Sequence, residues 1–123
     1  MKDLKQRTKE YALAIIKLFS ILPKKHEIQI IGKQLLRSGT SVGAHYREGV
    51  RARSSAEFIS KLSGGLQELE ESAYWLELLL EVWKTDNEQI TVLYEETNQL
   101  IAILVTCVNN ARKKWETSRD NIK

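Results

Sequence analysis

Apolar residues recur every three or four positions along four long stretches of the chain, with polar residues between them. In the first stretch the apolar positions are Leu4, Tyr11, Ile15, Leu18, Phe19 and Leu22. This spacing places side chains on one face of an α-helix. Pro23 cannot continue a helix, so the pattern predicts a first helix over about residues 3–22.

The second stretch, about residues 26–50, contains a run of small residues at 38–44. Ile28, Ile31 and Leu35 form its apolar face before this run. Each glycine inside a helix costs about 1 kcal/mol relative to alanine. Either the helix breaks in the run, or it continues because a neighbouring backbone packs closely there. Apolar spacing resumes at Val42 and Tyr46, which favours continuation.

Two further helices are predicted, over about residues 55–84 and 87–116. The third begins with a capping box, in which Ser54 precedes Glu57 by three positions. Its predicted core positions are Leu62, Leu66, Leu69, Ala73, Leu76, Leu80 and Trp83. Those of the fourth are Leu93, Thr97, Leu100, Leu104, Cys107, Ala111 and Trp115. Short connections between long helices predict one domain over 1–123, an all-α, antiparallel, up-down-up-down four-helix bundle.

The third helix carries apolar residues on a second side. At 100° per residue, Trp75, Leu78 and Val82 lie opposite the predicted core stripe. Exposed apolar patches commonly mark interfaces, so these three residues are the candidate contact of a homo-oligomer. The alternative is a wide stripe that touches both neighbouring helices of one bundle.

Charge is distributed unevenly. Residues 1–53 have a net charge of +8, residues 54–108 of −8 and residues 109–123 of +3. If the second helix is continuous, several of its cations point away from the core, and Arg53 follows them. The candidate nucleic-acid-binding residues are therefore Lys33, Arg37, Arg47, Arg51 and Arg53. Arginine suits phosphate because its planar fork bonds two oxygens. Alternatively, these cations pair with acidic residues of the third helix, such as Glu68 and Glu71, and serve assembly alone.

Candidate chemistry is sparse. No Glu-x-x-His motif of a di-iron bundle occurs, and no metal or cofactor site is predicted. Cys107 has no identifiable activating partner and fits a buried thiol. The remaining enzymatic hypothesis is a small helical ribonuclease that uses His45 as acid or base near Arg37, with Arg47 holding phosphate. Against this hypothesis, we predict a non-enzyme. A lone cysteine, no signal peptide and no long apolar run favour a cytoplasmic protein without membrane contact.

Residues 35–49, with the pattern Arg-Ser-x-x-Ser-hydrophobic-x-Ala-x-x-x-Glu-Gly, and the segments 56–62 and 68–76 are similar to one bacterial family. The chain resembles four-helix-bundle proteins related to those encoded in intervening sequences of large-subunit ribosomal RNA genes. Accessory proteins of diversity-generating retroelements are relatives of that family. The resemblance implies a homopentamer without enzymatic activity. In the retroelement branch it implies RNA or DNA and a reverse transcriptase as partners.

Overall fold

The computed structural model describes residues 3–122, and side chains for residues 3–119. Four helices make up this part of the chain: α1 (Leu4–Ser20), α2 (His26–Val50), α3 (Ser55–Val82) and α4 (Glu88–Ile122). Each helix packs against the next one in sequence, and α1 also meets α4. The predicted all-α, antiparallel four-helix bundle is confirmed.

Side-chain caps fix where three of the helices begin. The Asp3 carboxylate accepts a hydrogen bond from the Gln6 backbone N–H at the start of α1. The Ser54 hydroxyl accepts from Glu57 N–H at the start of α3, and the Glu57 carboxylate accepts from Arg53 N–H. Before α4, the Asn87 side chain accepts from Gln89 N–H. Each cap satisfies a backbone donor that has no partner within its helix.

The small-residue run of α2 lies inside one unbroken helix. Gly39 is buried against Ile15 of α1, where an added β-carbon would collide with the isoleucine side chain. On the side facing α3, the Ser38 and Ser72 hydroxyls are 2.7 Å apart and both residues are buried. Ser72 also donates to the Glu68 carbonyl and Ser38 to the Leu35 carbonyl, so the hydroxyl pair is tied to both helix backbones. The run therefore lets α2 approach both neighbours closely.

The buried stripe of α3 differs from the predicted one. Leu62, Leu69 and Leu76 are buried as expected, but Leu79 is fully buried and Leu80 is 36% exposed. The other buried positions are the small residues Gly65 and Ser72. Because these small residues face α2, the side of α3 that carries them is buried. A pattern that counts only large apolar residues therefore places the buried stripe too far to one side.

Helix α4 has 35 residues and runs further than the predicted end near residue 116. Its buried core positions end at Val108. Trp115, predicted in the core, is 39% exposed. Trp115 lies two turns after Val108, on the same face of the helix. Residues 112–119 are nevertheless all exposed. Trp115 is exposed because α4 extends past the helices that would have covered it.

Candidate nucleic-acid interface

Arg37, in the middle of α2, is engaged by acidic residues of α3. Its guanidinium lies 3.3 Å from a Glu68 carboxylate oxygen and 3.1 Å from one of Glu71. The hydrogen bond to Glu71, with the nearby charge of Glu68, raises the pKa of Arg37. The positive charge of Arg37 is thus paired within the bundle. Pairing with acidic residues of the third helix was the alternative interpretation of the basic residues. Lys33, one turn earlier, is exposed.

Arg47 and Arg51 lie at the C-terminal end of α2, beside the start of α1. Together with Lys5, Asp3 and Tyr46 they line a cleft between the two helices. Both arginines are exposed. Tyr46 is half-buried, so it forms the less accessible wall of the cleft, and this burial raises the pKa of its phenol. The cleft therefore presents three cations and one carboxylate to solvent.

A second cleft adjoins the first at the end of α2. It is lined by Arg53, by Phe58 at the start of α3, and by Cys107, Asn110 and Lys114 of α4. Arg53, which follows α2, and Lys114, on α4, both line it. Since Arg53 follows Arg51 by two residues, the two clefts lie side by side at one end of the bundle.

We call this surface the basic end and define it by five cations: Lys5, Arg47, Arg51, Arg53 and Lys114. Within residues 3–119, no hydrogen bond or ion pair engages any of these five side chains. Three of them belong to the set predicted from the sequence. Lys5 and Lys114 were missed because they join the surface only through the antiparallel packing of α1 and α4, although the positive charge of residues 109–123 hinted at the second.

His45 serves packing between α2 and α3. Its ring lies over Gly64, where a β-carbon would be 3.0 Å from the ring atoms Cε1 and Nδ1, and its own β-carbon lies beside Gly65. The Nδ1 atom is buried without a hydrogen-bond partner in the described part of the chain. Arg47, the phosphate ligand of the ribonuclease hypothesis, lines clefts beside α1 instead. The structure does not bring these two residues together.

The candidate oligomer contact lies along α3. Trp75 and Leu78 are half-buried and Val82 is 40% exposed. The neighbouring Tyr74 is 54% exposed, with its ring 5.1 Å from that of Trp75. Tyr74 and Val82 thus form the accessible part of this apolar surface, and Tyr74 was not in the predicted set.

The remaining candidate features concern metal binding, the cysteine and a membrane-spanning helix. Among the described residues, no group of three or more histidine, cysteine, aspartate or glutamate side chains is arranged to hold a metal ion. Cys107 is partly buried and free. No helix in residues 3–122 combines the length and the apolar character needed to cross a membrane.

Comparison with known proteins places this geometry in context. The model of the 23S rRNA-intervening sequence protein family matches residues 2–106. A solved structure from Bacteroides thetaiotaomicron, described as a protein with unknown function from the S23 ribosomal protein family, is 35% identical in sequence. The match covers 86% of this chain and 98% of that one, with a TM-score of 0.79. No curated protein matches the chain.

Proposed function

The chain belongs to the 23S rRNA-intervening sequence protein family, and we propose that it is a non-enzymatic, homo-oligomeric module that binds nucleic acid without sequence specificity. The observation that carries this proposal is the basic end, where five cations gather without carboxylate partners. Phosphate contacts of this kind supply most of the affinity of nonspecific binding. The binding surface proposed here is the α2 C-terminal part of the predicted basic face, extended onto α1 and α4.

The two halves of the predicted basic face have different roles in this proposal. Arg37 stabilises the packing of α2 on α3 through Glu68 and Glu71. Arg47 and Arg51 are available to a phosphate backbone. An uncompensated guanidinium binds phosphate without first breaking an ion pair, so these two arginines should dominate the affinity.

The nucleic-acid part of the proposal is tested by fluorescence anisotropy with a labelled RNA at several salt concentrations. We expect affinity to fall steeply with salt. In the double variant Arg47→Ala/Arg51→Ala, the slope of log K against log salt should drop by roughly 1.4, because each phosphate contact contributes about 0.7 for a single strand. Lys24→Ala/Lys25→Ala, which removes the same charge at the α1–α2 turn, is the matched control and should keep the wild-type slope.

Two outcomes would contradict this assignment. If the wild-type protein shows no salt-dependent binding to RNA or DNA, the charge polarity serves assembly alone and the chain is a protein-protein scaffold. If Arg37→Ala weakens binding as much as the double variant does, the middle of α2 is the contact surface instead. RNA cleavage that is lost in His45→Ala would overturn the non-enzymatic part.

Self-association through α3 is the second part of the proposal. Tyr74 and Val82 leave apolar area in water beside the half-buried Trp75. A second copy of the chain that covers this area would remove it from water at a gain of about 25 cal/mol per Å². The family resemblance favours five copies.

Light scattering coupled to size-exclusion chromatography tests this part. We expect a mass several times that of the 14.2-kDa chain. Val82→Lys should lower the mass at micromolar concentration, because a charge in an apolar contact must be desolvated. Val92→Lys is the control, since Val92 is an exposed valine of α4 at 61%. A stable wild-type monomer, or dissociation by Val92→Lys alone, would show that α3 is not the contact.

A further inference from the structure

The extension of α4 brings an aromatic ring to the basic end. Trp115 follows Lys114 directly, and Lys114 lines the second cleft together with Arg53. The core-side position of Trp115 turns its indole towards the same side of α4 as Val108, past the last buried contact of the helix. An apolar ring therefore stands beside a row of cations, with 39% of its surface in solvent.

One face of this indole is already occupied. The guanidinium carbon of Arg119 lies 5.1 Å from the ring centroid, a cation–π contact. Arg119 restrains the ring and adds a positive charge next to it. The 39% exposure of Trp115 leaves part of the ring open to a flat partner beside this contact.

We propose that the basic end binds single-stranded nucleic acid, with a base stacked on the exposed part of the Trp115 ring and the backbone phosphates on Lys114, Arg53, Arg51 and Arg47. This inference rests on the proposed nucleic-acid binding and specifies its substrate. A duplex hides its base faces inside the helical stack, so only a single strand can place a base on an indole. Stacking on an aromatic side chain tolerates every base, consistent with binding that does not read sequence.

The layout of the site matches what a single strand requires. The two clefts supply phosphate-binding cations from α1, α2 and α4, and Trp115 directly follows Lys114, the cation that α4 contributes. Nonspecific single-strand sites combine these elements: a positive groove that follows the backbone, and an aromatic platform for bases. A bundle that bound duplex by its charges alone would gain nothing from an uncovered tryptophan.

The test compares a fluorescein-labelled poly-U 20-mer with a 20-base-pair duplex, at one low salt concentration, on the full-length protein. Trp115→Ala should weaken poly-U binding about tenfold, within the range for loss of one stacked base. Duplex binding should change less than twofold. Trp115→Phe should retain most of the poly-U affinity. Ile30→Ala, which removes an exposed apolar side chain near the start of α2, away from the basic end, should leave both affinities unchanged.

The outcomes separate this inference from the proposed function. If no nucleic acid binds the wild-type protein, both fail. If binding persists and depends on Arg47 and Arg51 but not on Trp115, the stacking site fails alone. If Trp115→Ala lowers the oligomer mass in light scattering without selective loss of poly-U, a second copy of the chain covers the ring and the inference is overturned. Circular dichroism checks that each variant is folded.

Discussion

The two sides of α1 are packed in different ways. Towards α2, its side chains lie on glycines: Phe19 lies on Gly32, Ile15 lies on Gly39, and a β-carbon at Gly43 would be 3.2 Å from the Thr8 hydroxyl oxygen. The absence of side chains on these glycines allows the two helix backbones to approach closely. This side of α1 is held by apolar contact.

Towards α4, polar contacts predominate. The Tyr11 hydroxyl and the Thr97 hydroxyl are 2.5 Å apart in the buried core. Arg7 makes two hydrogen bonds to the Glu96 carboxylate, of 2.7 and 2.8 Å, and one to Gln99. Beyond the Tyr11–Thr97 contact, towards the end of α1, an open groove lined by Ala14 and Leu93 lies between the helices.

The difference shows how a small bundle closes. Glycines give α1 a close apolar fit on α2, which tolerates no added volume. The α1–α4 side has room, and a few directed hydrogen bonds set its geometry. Added volume should therefore damage the first side most, and loss of a proton should damage the second.

Added volume on the α2 side should have the largest effect. Gly39→Leu places four carbons where one already collides with the fully buried Ile15. Overpacking of this kind costs about 1–3 kcal/mol and sometimes more, against a gain in helix propensity of about 1 kcal/mol. We expect a net loss in the free energy of unfolding of about 2 kcal/mol, measured by urea denaturation at fixed protein concentration.

Ala44→Leu supplies the matched comparison. Ala44 belongs to the same small-residue run of α2, but it is exposed. The same new side chain should change stability there by less than about 0.5 kcal/mol. Equal effects at the two positions would show that the α1–α2 contact is not close, and the contrast between the two sides of α1 would fail.

Much of this fold was predictable, and the errors have a common cause. Periodicity predicted the four helices and the continuity of α2, and the spacing of Ser54 and Glu57 predicted the cap of α3. The family resemblance is also confirmed. The stripe of α3 was misplaced because Gly65 and Ser72 are buried without being large or apolar. Periodic patterns count large side chains, whereas close helix contacts are made by small ones.

The candidate site was less predictable because it depends on how helices end relative to one another. Arg47, Arg51 and Arg53 follow from the charge of α2. Arg37 has the same local pattern, and only the packing of α3 shows that Glu68 and Glu71 engage it. Trp115 fits a core position by spacing. Trp115 is exposed because α4 extends past the helices that it packs against. A local sequence pattern cannot predict where one helix ends relative to another.

The α4 side of α1 should respond to alkaline pH through Tyr11. Thr97 donates its hydroxyl proton to the Leu93 carbonyl, so the Tyr11 hydroxyl is the donor to Thr97. Burial raises the pKa of Tyr11 from 10.0 to about 12. The unfolded chain therefore ionises this phenol at a lower pH than the folded protein does. The corresponding stability is fully present below pH 10 and is lost as pH rises towards 12.

At pH 11 this difference amounts to about 1.4 kcal/mol, since one pKa unit corresponds to 1.36 kcal/mol. Tyr11→Phe removes the ionising group. Between pH 8 and pH 11 the variant should therefore lose about 1.4 kcal/mol less stability than the wild type does. Urea denaturation at both pH values measures the two losses. Tyr74→Phe, at a 54% exposed position on α3, should keep the full wild-type loss. If Tyr11→Phe loses as much stability as the wild type, the phenol is not held neutral between α1 and α4, and polar closure of that side is wrong.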